Sequence, residues 1–414
     1  MKKTIVYVVA AVVLTATISI GGMWMGFPGS NIRLVGVPSD AAKLKIADAG
    51  KRGESTSEQV PKNIVIFIAD GMGFSHMSAS SMIRHGIDGE SAWDRFEHFG
   101  WHQPHLADGL VTDSAASATA FSTGSTTTSE TVAMDPDGKS LQTLLELASA
   151  QGYRTGIVTD SFLWDATPAA FITHSRSRRD YKSIVGQLAE ADLDVLYGEI
   201  RIDEDDKFFS KDALIALFSK KYSVFEHVQD ATGADPSASV AIMLPRDFAI
   251  KKEIGVTVLD LARSAMARIG KNNDRGYVLI VESEEPDSAS HRKDFPRLMA
   301  GMGVIEDTVA FLHEETQKSG DTLFIFTSDH ETGGLALLGD LGDRLLLDPI
   351  WTTTEHTATP VPVFAAGPGA ERIAGSHTNH EIGRTLLGMI RARSAAPTAE
   401  AASTDPAPTG PAGR

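Results

Sequence analysis

Three runs of consecutive apolar residues, each closed by an acidic one, constrain this chain more than anything else in it. Residues 63–69 (NIVIFIA) run into Asp70, residues 277–281 into Glu282, and residues 322–328 into Asp329 and His330. A strand apolar on both faces has to be buried on both, which is the habit of parallel sheets covered by helices. The intervening segments supply the helices. Residues 141–150, 254–269 and 297–316 carry helical patterns, each followed by a strand pattern at 155–159, 277–281 and 322–327; a strand at 361–365 and a helix at 381–389 close the series. This alternation predicts an α/β fold, a three-layer sandwich with a large, mostly parallel central sheet and helices on both faces. In such sheets, sites gather at the carboxyl ends of strands. Asp70, Glu282, Asp329 and His330 all fall there. Taken singly, an acid after a strand caps a helix or turns the chain; several acids with histidines beside them point to a site.

The ends of the chain read differently. Lys2 and Lys3 precede an uncharged stretch from Thr4 to Ile32 with an apolar run from Ile5 to Ile20. Residues 1–30 are therefore expected to be an export signal, either a cleaved signal peptide or an uncleaved anchor attached to the membrane through residues 4–27. The expected location is outside the cytoplasm, in a periplasm or its equivalent. Residues 31–61 read as a tether, 62–392 as the globular domain, and 393–414 as an Ala/Pro-rich disordered tail. The chain has no cysteine, which excludes disulfides, thiolate metal ligands and a cysteine nucleophile. Its net charge of −16 argues against nucleic-acid binding, which needs a cationic face.

Two groups of residues can do chemistry. Asp287 and His291 stand four apart, so on a helical turn they share a face and can reach one metal ion. Zinc accepts such a mixture of nitrogen and oxygen ligands. Asp329 and His330 are adjacent before Thr332-Gly333-Gly334, where irregular backbone lets neighbours bind together, and His356 lies in a segment without helical pattern. The second group is the run Thr112-Asp113-Ser114-Ala115-Ala116-Ser117-Ala118-Thr119-Ala120. It reads either as a well-capped helix or as a helix start that presents Ser114 to an anion. No Gly-x-Ser-x-Gly elbow surrounds the serine, so a metal is the candidate for activating it.

In combination these segments, with Asp70-Gly71-Met72-Gly73, Asp165-Ala166-Thr167-Pro168 and Glu355-His356-Thr357, resemble the alkaline phosphatase family from about residue 62 to 392. The resemblance implies two zinc ions and one magnesium ion per chain. It assigns Asp287, His291 and His356 to the first zinc, and Asp70, Asp329, His330 and Ser114 to the second. Asp70, Thr167 and Glu282 fall to magnesium, an all-oxygen set that suits a hard ion. It implies that Ser114 attacks phosphate monoesters to form a phosphoserine that water then hydrolyses. It also implies that Arg178, thirteen residues after Asp165, grips the phosphate, with Arg176 and Arg179 beside it leaving the register open by one or two residues; that Asp113 lies at the substrate side; and that the enzyme is a homodimer. The chain departs from the family pattern at Ser283-Glu284-Glu285-Pro286 and at Ser288. The extra carboxylates either raise metal affinity or repel a phosphate. A phosphodiesterase of the same superfamily is the nearest rival, though those often use threonine; a non-catalytic phosphate- or metal-binding protein is the rival from another class.

Overall fold

The computed structural model describes residues 59–203, 205–245, 255–271, 273–339 and 346–395. The expected signal or anchor, most of the tether and the C-terminal tail lie outside the described residues. Among those described, no helix is long and apolar enough to cross a membrane. Val60, two residues before the expected start of the domain, packs against the core, and the last helix runs to Ala395.

Among the described residues, fourteen strands follow in chain order: β1 Asn63–Ala69, β2 His98–Gln103, β3 Arg154–Phe162, β4 Val195–Glu199, β5 Ser223–Phe225, β6 Val240–Leu244, β7 Tyr277–Ser283, β8 Thr322–Thr327, β9 Glu331–Thr332, β10 Leu335–Gly339, β11 Leu347–Trp351, β12 His356–Thr357, β13 Val361–Ala366 and β14 Gly375–Thr378. Ten of them form one sheet in the order β14-β2-β13-β8-β1-β7-β3-β4-β6-β5, while β10 pairs with β11 and β12 with β9. β13 is antiparallel to both its neighbours, and every other pair in the large sheet is parallel.

The expected sandwich is present because β1 alternates its side chains between two cores. Ile64, Ile66 and Ile68 join the helices Ser114–Thr123, Leu144–Ala150, Tyr181–Glu190 and Asn379–Ala395 on one face. Val65, Phe67 and Ala69 join Phe74–His85, Val258–Ile269 and Phe295–Ser319 on the other. All seven residues of β1 are buried, as are those of β7.

Capping set the helix starts that periodicity misjudged. The helix expected from residue 141 begins at Leu144, where Thr143 and Glu146 form a capping box. The one expected from 254 begins at Val258, capped in the same way by Thr257 and Asp260. In each case the Ser/Thr hydroxyl takes an orphan N–H, which outweighs the apolar residues upstream.

The central order β8-β1-β7-β3 puts the three acid-closed strands side by side. Ile68 stands opposite both Glu282 and Thr327, so Asp70, two residues on, emerges between Glu282 and Asp329. Thr159 of β3 stands opposite Glu282 on the far side.

Candidate active site

The helix Ser114–Thr123 is buried throughout and begins at the serine. Asp113 is its N-cap. One carboxylate oxygen accepts from the N–H groups of Ala115 (2.9 Å) and Ala116 (3.1 Å), the other from Ser129 Oγ and from the Glu130 N–H (2.8 Å). Two of the helix's first N–H groups thus serve the cap and not a bound anion, and Asp113 does not line the cavity above Ser114. The capped-helix reading is realised at Asp113, and Ser114, the next residue, lines the cavity. Ser114 Oγ lies 3.4 Å from His330 Nε2 and 3.5 Å from Arg178 Nη1.

Of the three nearby arginines only Arg178 reaches this cavity. Arg176 donates to the Asp137 carbonyl and Arg179 pairs with Glu130 at the surface. Arg178 Nη2 is held 2.8 Å from Asp165 Oδ1. Burial opposes its charge, but Asp165, Asp70 and Asp113 outweigh that and push its pKa up. Asp165 is itself pinned, accepting from Ser161 Oγ (2.7 Å) and capping the helix Ala166–Ala170. That short helix carries Thr167, whose hydroxyl is buried without a partner.

Five of the nine expected metal ligands form two clusters among the described residues, Asp70, Asp329 and His330, and Asp287, His330 and His356, each with ligand atoms within 4.8 Å of one another; Ser114, Thr167, Glu282 and His291 belong to neither. His330 is common to both. His291 reaches Asp287 from the other carboxylate oxygen, at 3.2 Å, across one turn of the helix Glu285–His291. Backbone carbonyls orient the outer histidines. Nδ1 of His356 donates to Thr112 O (2.9 Å) and Nδ1 of His291 to Thr354 O, leaving Nε2 of each turned toward Asp287. Such bonds fix the tautomer a metal-binding imidazole needs. Gly71 and His330 donate their N–H groups to Asp329 Oδ1; its Oδ2, and Asp70 Oδ1, are buried with no hydrogen-bond partner.

These carboxylates carry the electrostatic mark of a cation site. Burial, then Asp329, Asp287 and Glu282, raise the pKa of Asp70; burial and Asp165 raise that of Glu282; burial raises Asp329 to about 7. Glu282 accepts from Thr159 Oγ1. Asp287 goes the other way: burial works against its charge, but His291, His330 and His356 together lower its pKa. Buried acceptors without donors, beside imidazoles whose Nε2 faces the carboxylates, fit divalent metal ions.

Several participants escaped sequence reasoning. Thr332 donates to Asp287, and Glu331 accepts from Thr357 and from the N–H groups of Gly334 and Leu335, fixing the loop behind His330. Thr332 sits inside the segment that flagged Asp329 and His330, and only its partner was hidden. Of the two extra carboxylates, Glu284 lines the cavity, held by Ser161 and Ser288, whereas Glu285 forms an ion pair with Arg297. The cavity, of about 300 Å³, is completed by Phe162, Tyr181 and Arg201, for which the sequence carried no signal.

A family model described as alkaline phosphatase matches residues 61–200 and 239–342. Alkaline phosphatase 3 of Bacillus subtilis (strain 168) is 26% identical, over 83% of this chain and 92% of that protein. The alkaline phosphatase of Escherichia coli (strain K12) is 26% identical, over 82% and 88%. Among solved structures, the alkaline phosphatase of the Antarctic bacterium TAB5 superposes with a TM-score of 0.71 at 26% identity, covering 80% of this chain and 98% of that one; a mutant of the TAB5 enzyme was solved with Mg bound in its M3 site.

Proposed function

The chain belongs to the alkaline phosphatase family and is by that membership a metal-dependent phosphomonoesterase, and we propose that it works through a phosphoserine formed on Ser114, with two zinc ions and one magnesium ion per chain. The observation that carries this is the convergence of Ser114 Oγ, His330 and Arg178 within 3.5 Å at the edge of the two ligand clusters.

The first zinc would be held by Asp287, His291 and His356, the second by Asp70, Asp329 and His330 with Ser114. Magnesium would take Asp70, Thr167 and Glu282. When bound, these ions supply the charge that lowers the pKa of a ligating hydroxyl and that neutralises the phosphate oxygens. The protein's own groups do the rest. The helix start places Ser114 Oγ at the floor of the cavity. His330 does not act as a base in a triad: burial, and then His356, hold its pKa well below the usual histidine range, and its Nδ1 faces the Thr332 hydroxyl rather than an acid. Asp165 holds one arm of Arg178 and leaves Nη1 beside Ser114, where it can grip a non-bridging oxygen during in-line attack. Ordered positioning of this kind is most of what phosphoryl transfer asks of a protein.

A serine nucleophile and an arginine beside it favour a monoester over a diester. The test compares p-nitrophenyl phosphate with bis-p-nitrophenyl phosphate under defined zinc and magnesium; a preference for the diester would overturn the assignment. We also propose export, supported by Lys2, Lys3 and the uncharged stretch after them, with small phosphate monoesters as substrates and a homodimer as the assembly.

A further inference from the structure

The cavity that holds Ser114 and Arg178 contains a second arginine. Arg201 follows β4 and lines the cavity beside Phe162 and Tyr181. Its guanidinium carbon lies 4.2 Å from the centroid of the Phe162 ring. Phe162 in turn meets Tyr181 edge-on, with centroids 5.9 Å apart and planes at 89°. Stacking engages the flat face of a guanidinium and leaves its in-plane N–H donors free. Here Nε is buried without an acceptor, and among the described residues no carboxylate forms an ion pair with Arg201.

The other charged groups of the cavity wall are engaged. Arg178 is tied to Asp165, and Glu284 accepts from Ser161 and Ser288. Asp70 belongs to one ligand cluster and Asp287 to the other. Arg201 alone among these presents a rigidly backed donor edge with nothing on it. Among the described residues nothing accepts from its Nη groups either, so a ligand in the cavity can supply their acceptor.

Resting on the phosphomonoesterase reading, we propose that Arg201 binds a second anionic group of the substrate, a carboxylate or a further phosphate. The preferred substrates are then small phosphomonoesters that carry another anion. Arg178 and Arg201 divide the work: the first holds the phosphate that reacts, and the second holds the part of the molecule that does not.

The test uses the full chain loaded with zinc and magnesium and two matched pairs: 3-phosphoglycerate against glycerol 3-phosphate for a carboxylate, and fructose 1,6-bisphosphate against fructose 6-phosphate for a phosphate. Arg201→Met keeps an apolar stem on Phe162, and Arg201→Lys keeps the charge but not the fork. Arg201→Met is expected to lower kcat/KM for the substrates with a second anion by about tenfold, through KM. Glycerol 3-phosphate and fructose 6-phosphate should stay within about twofold, and Arg201→Lys should recover part of the loss. Loss in only one pair identifies which anion the site takes. Equal loss on all four substrates, or no loss on any, overturns the proposal while leaving the phosphomonoesterase reading intact. A wild-type enzyme that turns over none of the four under the metals that support p-nitrophenyl phosphate hydrolysis likewise removes the substrate class, and one inactive on p-nitrophenyl phosphate as well removes the function on which it rests.

Discussion

The imidazoles of His330 and His356 lie face to face, with centroids 3.6 Å apart and planes at 22°. Two imidazolium ions do not stack at that distance in a buried site, and burial together with His356 keeps His330 neutral. Neutral imidazole is the form that binds metal. The contact also joins the two ligand clusters into one, since His330 belongs to both.

A chelator should therefore abolish hydrolysis of p-nitrophenyl phosphate, and zinc plus magnesium should restore it. It should also lower the melting temperature, because ions that bind only the folded state stabilise it. Full recovery with magnesium or calcium alone would rule out the two-zinc site.

The metal-free protein should lose stability as pH rises from about 6.5 to 9. Burial raises Asp160 from 3.8 to about 8 and Asp329 from 3.8 to about 7. Each keeps a proton in the folded state that the unfolded chain has released, so stability falls as pH climbs through that gap. His291, raised from 6.5 to about 9 by its bond to Asp287, acts with the same sign between those values. Burial lowers His76 to about 4 and His102 to about 3, which favours the folded state as pH rises, but only up to about 6.5. Melts in chelator across this range decide it; a melting temperature that holds or rises toward pH 9 contradicts the account.

Ser114→Ala should leave less than roughly 1% of the wild-type turnover, since the nucleophile itself is gone. The fold should survive, because Asp113 still caps the helix. Circular dichroism and the melting temperature check the second point, and retained turnover of a few per cent sinks the first.

Gly71→Ala should damage the metal site. Gly71 has φ +73°, and a Cβ there would stand 2.7 Å from Asp287 Cα. The left-handed backbone alone costs roughly 1–2 kcal/mol in a residue with a side chain. The displaced Asp287 should show as weaker zinc retention against a chelator; wild-type retention would mean the loop yields without moving the ligand.

Arg178→Ala should lower kcat/KM on the order of a hundredfold, as losses of donors aimed at developing charge do. Inhibition by inorganic phosphate should weaken in parallel. Arg178→Lys should not recover the wild-type rate, because Asp165 and the phosphate need two arms of one planar group.

The local signals in the chain were strong for elements whose pattern is complete along the backbone. β1, β7 and β8 are apolar on both faces and end in acids, and they became adjacent central strands with those acids at one edge. Asp287 and His291, four apart, form their pair on a helix as their spacing required. The grouping of Asp70, Asp287, Asp329, His330 and His356, with Ser114 beside His330, was likewise legible, through motifs that hold their order along the chain. Tertiary structure alone decided what depends on residues far apart. It chose Arg178 over Arg176 and Arg179, kept Glu284 in the cavity while pairing Glu285 outside it, committed Asp113 to the cap, and set Arg201 on Phe162. Periodicity and capping act over one or two turns of chain, so sequence can report them. Which charged side chain faces a cavity depends on partners brought together by strand order, and that order is fixed only when both faces of the sheet are buried.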